Sequence, residues 1–171
     1  MKIENLQEWI GKTEERSDLL NAFPANAMAA TLNHEKFNYS KNKNLPPLWH
    51  WLYFLPIFRL SEAGYDGHAA LGDFLPPVQL PRRMWAGSRI EFLSPLKIGN
   101  EYKKKSNIKD VIAKSGRSGD LVFVTVSHEV SNGTKICINE EHDIVYREKA
   151  ASSSGPAKLI EAPKEFDFSI D

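Results

Sequence analysis

The sequence lacks the features that mark secreted and membrane-spanning proteins. Its 171 residues include a single cysteine, Cys137, which excludes an internal disulfide and indicates a reducing compartment. Glu4 and Glu8 stand where a signal peptide has an apolar run, and no apolar stretch reaches the roughly 18 residues that a transmembrane helix needs. We therefore expect a cytoplasmic protein that does not engage a membrane, with Cys137 buried as a small hydrophobic residue.

Two further absences narrow the function. No cluster of residues has metal-ligand spacing and no glycine-rich loop opens a helix, so we expect no metal and no cofactor. The net charge is zero, but residues 82–117 carry 10 basic and 3 acidic side chains, a net +7, against −2 before this segment and −5 after it. The basic segment suits either a phosphate-bearing ligand or the solvated face of a hairpin, which is the preferred interpretation of Lys103 to Lys105. No nucleic-acid-binding motif accompanies the charge, so nucleic acid is not expected as a partner.

What the sequence does contain is a long irregular segment, residues 64–92. Four glycines and three prolines interrupt it, so most of it is neither regular helix nor central strand. Leu75, Val78 and Leu80 give it apolar side chains to bury, which argues against disorder. The segment is therefore either a structural loop that packs across a sheet or a loop that shapes a binding site.

The helical signals lie before this loop. Apolar residues repeat at helical spacing in residues 3–10, and an alanine-rich segment predicts a second helix at residues 24–32. Residues 48–55 are apolar nearly all round, which predicts a buried helix that Pro56 ends. We expect His50, within this segment, to be a packed and hydrogen-bonded histidine rather than a catalytic one.

After the loop the pattern changes to strands. Hydrophobic residues alternate with period two, and Asn132-Gly133 is a strong hairpin signal. In the last strand the alternation places one set of side chains on a single face: Ile136, Ile138, Ile144 and Tyr146. We predict antiparallel strands at residues 85–93, 101–113, 121–130 and 136–146.

One apolar helix followed by a curved antiparallel sheet is an α+β layout. The simplest packing wraps the sheet around residues 48–55 as a buried central helix, which is the hot-dog fold. We expect this single domain to span residues 1–148. Residues 149–171 are small, polar and interrupted by proline, and we expect them to be a linker or flexible tail.

Several motifs resemble the N-terminal half of MaoC-like acyl-thioester dehydratases, in particular the group of mesaconyl-CoA and itaconyl-CoA hydratases and mitochondrial 3-hydroxyacyl-thioester dehydratases. They are P-P-L-W-H-W-L-Y-F-L-P from Pro46, G-D-F-L-P-P-V-Q-L-P-R-R-M-W-A-G-S-R-I-E-F from Gly72, K-S-G-R-S-G-D-L-V-F-V-T-V from Lys114 and D-I-V-Y-R from Asp143. The resemblance implies a double hot-dog enzyme whose second half carries the catalytic aspartate and histidine. We expect the chain to be the first half, either as a fragment or as a separate polypeptide.

The residues of the irregular segment supply the candidate site. In the family an aspartate–histidine loop transfers the protons, but residues 32–50 contain no aspartate. Asp66 and His68 are then the only candidates for an acid–base pair, although capping of the loop is the preferred interpretation of Asp66. His128 and His142 fall on predicted strands and receive no function.

The same segment offers binding residues. Arg82 and Arg83 are candidates for binding a substrate carboxylate or a CoA phosphate, or for anchoring the loop. Trp85 is a candidate for the wall of an acyl or pantetheine tunnel, or for the core.

These observations predict a component of an acyl-CoA hydratase or dehydratase. This half would shape the site for a substrate linked to CoA or to an acyl carrier, and a second hot-dog domain or dimer partner would supply the catalytic aspartate and histidine. The alternative is a non-catalytic acyl-CoA-binding or scaffolding subunit. A thioesterase is less well supported, because residues 48–55 carry no carboxylate.

Overall fold

Five antiparallel strands form one sheet in the part of the chain that the structure describes. The computed structural model describes residues 4–35, 37–116 and 119–149. The elements in chain order are helix α1 (Glu4–Gln7), strand β1 (Thr13–Leu19), helix α2 (Ala22–Thr31), two 3-10 turns (Trp49–Leu52 and Leu60–Glu62), and strands β2 (Arg82–Phe92), β3 (Glu101–Gly116), β4 (Gly119–Ser131) and β5 (Ile136–Arg147).

The strands lie in the order β1–β3–β4–β5–β2, so β1 and β2 form the edges of the sheet. The four strands predicted after residue 84 are confirmed, and so is the hairpin between β4 and β5. Asn132 closes that turn because its Oδ1 accepts the N–H groups of Thr134 and Lys135, while Gly133 takes a φ of 88°. The curved sheet with its few helices is an α+β hot-dog fold, as predicted.

The core lies against one face of this sheet. Val122, Val124 and Val126 alternate inward along β4 and are at most 2% exposed. Cys137 on β5 is also buried, which confirms its assignment as a small hydrophobic residue. The irregular segment contributes Val78 and Leu80 to the same core, so this part of it packs across the sheet.

The helix of the fold is α2, and the prediction of a buried central helix at residues 48–55 is wrong. Asn21 caps α2 through its Oδ1, which accepts the Phe23 N–H at 3.1 Å, and Ala25 and Ala29 are fully buried. Residues 48–55 form only the 3-10 turn Trp49–Leu52.

The reason lies in the chain on both sides of that turn. Pro47 and Pro56 prevent helical extension, and a segment of eight residues is too short to hold a helix by itself. Leu48 and Phe54 take left-handed backbone conformations with φ of 70° and 57°. Trp51 is consequently 43% exposed, whereas Phe54 is 3% exposed.

Strand β1 is an element that the sequence pattern does not predict. Its residues T-E-E-R-S-D-L contain one hydrophobic side chain, because an edge strand needs little burial. No helix in the part of the chain that the structure describes is long and apolar enough to span a membrane. The linker or tail predicted at residues 149–171 lies, apart from Lys149, outside the described residues and stays a prediction.

Candidate functional site

A cavity of about 460 Å³ opens beside the edge strand β2. It collects side chains from the 3-10 turn, the irregular segment, β2 and β5, and it is lined by Trp51, His68, Leu75, Arg83, Met84, Trp85, His142 and Ile144. Three of the residues singled out in the sequence, His68, Arg83 and Trp85, therefore meet at one place. Arg82 is exposed and lies outside the lining.

Asp66 anchors the loop at the rim of this cavity. Its Oδ1 accepts the backbone N–H of His68 at 3.2 Å, and its Oδ2 lies 2.8 Å from a guanidinium nitrogen of Arg83. Burial raises the pKa of Asp66, but the His68 N–H and the charge of Arg83 outweigh it and lower the pKa below its usual range. Asp66 is thus an ionised carboxylate held by a loop contact and an ion pair. The His68 side chain, at 71% exposure, is in loose contact with it, with 3.7 Å between Nδ1 and Oδ2.

Arg82 and Arg83 occupy neighbouring positions on β2 and point to opposite faces of the strand. Successive side chains of a strand point to opposite faces, so Arg83 turns towards the cavity with 11% of its side chain exposed while Arg82 turns to solvent. Trp85 is 65% exposed, which excludes the core alternative for this residue. Its indole N–H donates to Ser88 Oγ at 3.1 Å, and its ring meets the Trp51 ring edge-on at 6.4 Å.

Beneath the cavity lies a buried carboxylate, Glu140 of β5, with 4% exposure. It accepts hydrogen bonds from the Trp51 indole N–H at 2.9 Å, from His50 Nε2 at 3.1 Å and from His142 Nε2. Burial by itself raises the pKa of Glu140, but the hydrogen bonds from His142 and His50 outweigh it and hold the pKa well below its usual range. The carboxylate is therefore ionised, and both histidines present an N–H at Nε2 because an ionised carboxylate only accepts.

A third histidine extends this cluster across the sheet. His128 pairs with Glu140 in the register of β4 and β5, and its ring lies 5.0 Å from that of His142. Its Nδ1 is 2.9 Å from Ser106 Oγ. Burial, helped by the positive charge of Lys104, lowers the pKa of His128 to about 3, so its ring is neutral near pH 7.

Lys104 corrects the interpretation of the three consecutive lysines of β3. Lys103 and Lys105 are exposed, but Lys104 is half-buried and its Nζ lies 5.6 Å from the centre of the Phe54 ring. Burial lowers the pKa of Lys104. Only two of the three lysines therefore belong to a solvated face.

His50 connects the cluster to a second cavity of about 570 Å³, whose lining includes Pro46, Phe92, Ser94 and Ile138. At 3% exposure His50 is the packed and hydrogen-bonded residue that the sequence indicated. Glu140 thus lies between two cavities and holds a histidine of each. No group of three side chains suited to bind a metal ion occurs among residues 4–35, 37–116 and 119–149.

The signal for this cluster is present in the pattern of β5. The alternation that places Ile138, Ile144 and Tyr146 on the inner face also places residues 140 and 142 there. A glutamate and a histidine at two successive inward positions of a strand are unusual enough to mark a site, because a buried charge needs partners. The neighbours Glu141 and Asp143 take the outer face and bind Arg89.

The class of protein follows from comparison with known families. The family model of hydroxyacyl-thioester dehydratase type 2 matches residues 48–171, and the chain belongs to that family. The chain is also 45% identical, over 159 residues, to mesaconyl-C(4)-CoA hydratase from Chloroflexus aurantiacus. These findings confirm the resemblance drawn from the sequence motifs.

The match to that hydratase covers 93% of this chain and 56% of the relative, so the chain spans about half of the relative's length. Among solved structures, the ChsH1–ChsH2 complex from Mycobacterium tuberculosis contains a chain that is 14% identical. That match covers 92% of this chain and 96% of the other, with a TM-score of 0.63. At this identity the likeness shows the fold.

Proposed function

We propose that the chain is one half of an acyl-thioester hydratase or dehydratase, which adds water reversibly across the double bond of an enoyl thioester. The observation that carries the proposal is the convergence of His68, Arg83 and Trp85 on one cavity, in a chain that belongs to a family of thioester dehydratases. The cavity combines an apolar wall with a small number of polar groups, which is the usual composition of a small-molecule site.

The lining suggests how the substrate is held. Leu75, Met84 and Ile144 offer apolar contacts to an acyl group, and the Trp51 and Trp85 rings offer flat walls. Arg83 presents a guanidinium suited to a carboxylate or a phosphate, although Asp66 already balances part of its charge. The name of the curated relative, mesaconyl-C(4)-CoA hydratase, favours a CoA-linked substrate.

A second hot-dog half supplies the aspartate and histidine that transfer protons in this family. The relative is much longer than this chain, which leaves room in it for such a half. Two large apolar side chains of this chain are also exposed to solvent, Ile57 at 99% and Leu60 at 91%. Ile57 lies beside residues of the edge strand β1, and the edge strand β2 on the opposite side of the sheet is a second surface that a partner can cover.

A non-catalytic acyl-CoA-binding subunit is the second candidate, and the pairing of Asp66 with Arg83 favours it. A carboxylate that is held in an ion pair is a poor general base. The thioesterase alternative gains a carboxylate beside residues 48–55, namely Glu140, but the three donors that hold Glu140 leave it poorly placed to attack a thioester.

The test compares the chain by itself with a chimaera in which it replaces the matching part of the Chloroflexus aurantiacus relative. Hydration of crotonyl-CoA and mesaconyl-CoA is followed by the loss of the enoyl-thioester absorbance. We expect hydration by the chimaera, and roughly a thousandth of that rate or less from the chain without its second half, since general acid–base catalysis contributes about 10²–10⁴-fold. A folded chimaera that binds both thioesters without hydrating either would instead support the binding subunit.

A further inference from the structure

We infer that His142, oriented by Glu140, is a proton-transfer residue of the cavity beside β2, acting on an enoyl thioester or its 3-hydroxyacyl product. The inference deepens the proposed function and rests on it for the class of substrate. It assigns acid–base chemistry to this chain itself, in addition to the pair expected in a second half.

The hydrogen bonds fix the state of the His142 ring. Because Glu140 is an ionised acceptor, His142 Nε2 carries the proton of their hydrogen bond. In the neutral ring Nδ1 then carries a lone pair. Nδ1 forms no hydrogen bond with the residues that the structure describes, and 28% of the side chain is exposed at the cavity. A carboxylate that holds one ring nitrogen while the other stays free is the arrangement of a histidine general base.

The other two histidines of the cluster lack one of these properties. His50 is held by the same carboxylate, but it is 3% exposed and lines the second cavity. His128 has its Nδ1 occupied by Ser106, and its lowered pKa makes it a poor proton acceptor. Of the three, His142 is the residue that lines the cavity together with His68, Arg83 and Trp85.

Packing holds the His142 ring in place. The Trp51 ring lies edge-on at 5.9 Å and the His128 ring at 5.0 Å, so neighbours of the same cluster limit its rotation. Trp51 also donates to the Glu140 oxygen that accepts from His142. The position of Nδ1 is therefore fixed by the folded protein before a ligand binds, which reduces the cost of reaching a reactive geometry.

The proton balance of the step is complete without a further reactant. Neutral His142 takes a proton at Nδ1 from water as the water oxygen bonds to the β-carbon, and the electron pair of the double bond moves towards the thioester oxygen. Glu140 stabilises the resulting imidazolium. The same Nδ1–H then returns the proton to the α-carbon and gives the 3-hydroxyacyl thioester. In the dehydration direction each transfer is reversed.

The full chain by itself tests this inference without any second half. Purified chain at high concentration is incubated with crotonyl-CoA in heavy water, and hydration and α-deuterium incorporation are measured by mass spectrometry. We expect a residual rate above that of buffer, reduced about 100-fold or to the buffer rate in His142→Gln. His34→Gln is the matched control, because His34 is exposed and lies outside the cluster, and its rate should equal that of the parent chain.

Two further measurements separate chemistry from structure. Added imidazole should restore part of the hydration rate of His142→Ala. His142→Ala and His142→Gln should both bind butyryl-CoA with the affinity of the parent chain. Nitrogen-15 spectra of the full chain should show a bare Nδ1 and a protonated Nε2 at His142. A parent chain no faster than buffer, a His142→Gln rate equal to the parent's, or the opposite tautomer would each overturn the inference. If the chimaera were inactive but the isolated chain showed a residual rate that depended on His142, the proposed function would fail and this inference would stand.

Discussion

Replacing Glu140 by glutamine tests the physical basis of the cluster most directly. Glutamine keeps the shape of the side chain but removes the charge, and it sets an amide N–H₂ group where one carboxylate oxygen accepted hydrogen bonds. A buried donor left without an acceptor costs about 1–3 kcal/mol, and more where the lost acceptor was charged, and the new amide N–H₂ group faces one or two of the three donors. We therefore expect Glu140→Gln to lower the free energy of unfolding by about 3–5 kcal/mol at pH 7.

The adjacent residue provides the control. Glu141 points to the outer face, with 27% of its side chain exposed, and binds Arg89 and Lys109 at the surface. Because surface ion pairs contribute about 0–1 kcal/mol, Glu141→Gln should cost less than about 1 kcal/mol. Urea unfolding followed by tryptophan fluorescence and circular dichroism measures both variants. If the two substitutions lowered stability equally, Glu140 would not be the central acceptor that the structure shows.

The pH dependence supplies a second check on the same variant. The pKa of Glu140 lies below its ordinary value of 4.5 in the folded protein, so the folded state binds fewer protons than the unfolded state as the pH falls. The stability that the charge contributes is complete above that ordinary pKa and is lost as the pH falls towards the folded pKa. The difference between the parent chain and Glu140→Gln should therefore shrink as the pH falls below about 4. A difference that stayed constant down to pH 3 would contradict this reasoning.

Three other substitutions follow from burial, backbone geometry and the cavity. Phe54→Ala should lower the free energy of unfolding by about 3–5 kcal/mol, the range for a buried aromatic side chain, and by more than Trp51→Ala, since Trp51 is 43% exposed; equal losses in urea would argue against the observed turn. Gly99→Ala should cost at least about 1–2 kcal/mol, because φ is +85° and the new Cβ would lie 2.8 Å from Lys41 Cγ; an unchanged melting temperature would refute this. In the active chimaera Arg83→Ala should chiefly raise KM and Arg82→Ala should change neither constant, whereas a fall in kcat alone would exclude a binding role for Arg83.

Strands β2 to β5 are predictable because each carries a local signal that the folded structure uses, whereas β1 carries none. Val122, Val124 and Val126 alternate in the sequence and are buried in the sheet, and Asn132-Gly133 forms the turn that its conformational preferences favour. The 3-10 turn that stands in place of a helix at residues 48–55 is not predictable from the apolar composition of that segment. That composition reflects partners distant in the chain, among them Glu140, rather than a continuous buried helical surface.

Some residues of the candidate site can likewise be predicted from local sequence signals, and others cannot. His68, Arg83 and Trp85 could be singled out because glycines and prolines fix the backbone around them, and the structure gathers them at one cavity. The apolar residues of β5 alone do not indicate Glu140 and His142, although the strand's period of two places both side chains on the same inner face. The contact between residues 50 and 140 spans most of the domain, and no local pattern encodes it.

The free-energy cost of burying the charge of Glu140 indicates whether the cluster serves stability or function. Apolar side chains of similar volume in place of a buried charged group are often neutral or stabilising by about 1–4 kcal/mol, so folding alone does not require Glu140. The strand has apolar residues at the neighbouring inward positions, Ile138 and Ile144, which shows that the sheet accommodates them there. The charge stands where it holds His50 at one cavity and His142 at the other. A function at those cavities would explain this placement, whereas stability does not. The His142 substitutions distinguish the two accounts, because the functional account predicts a lower rate in a protein that still binds its thioester.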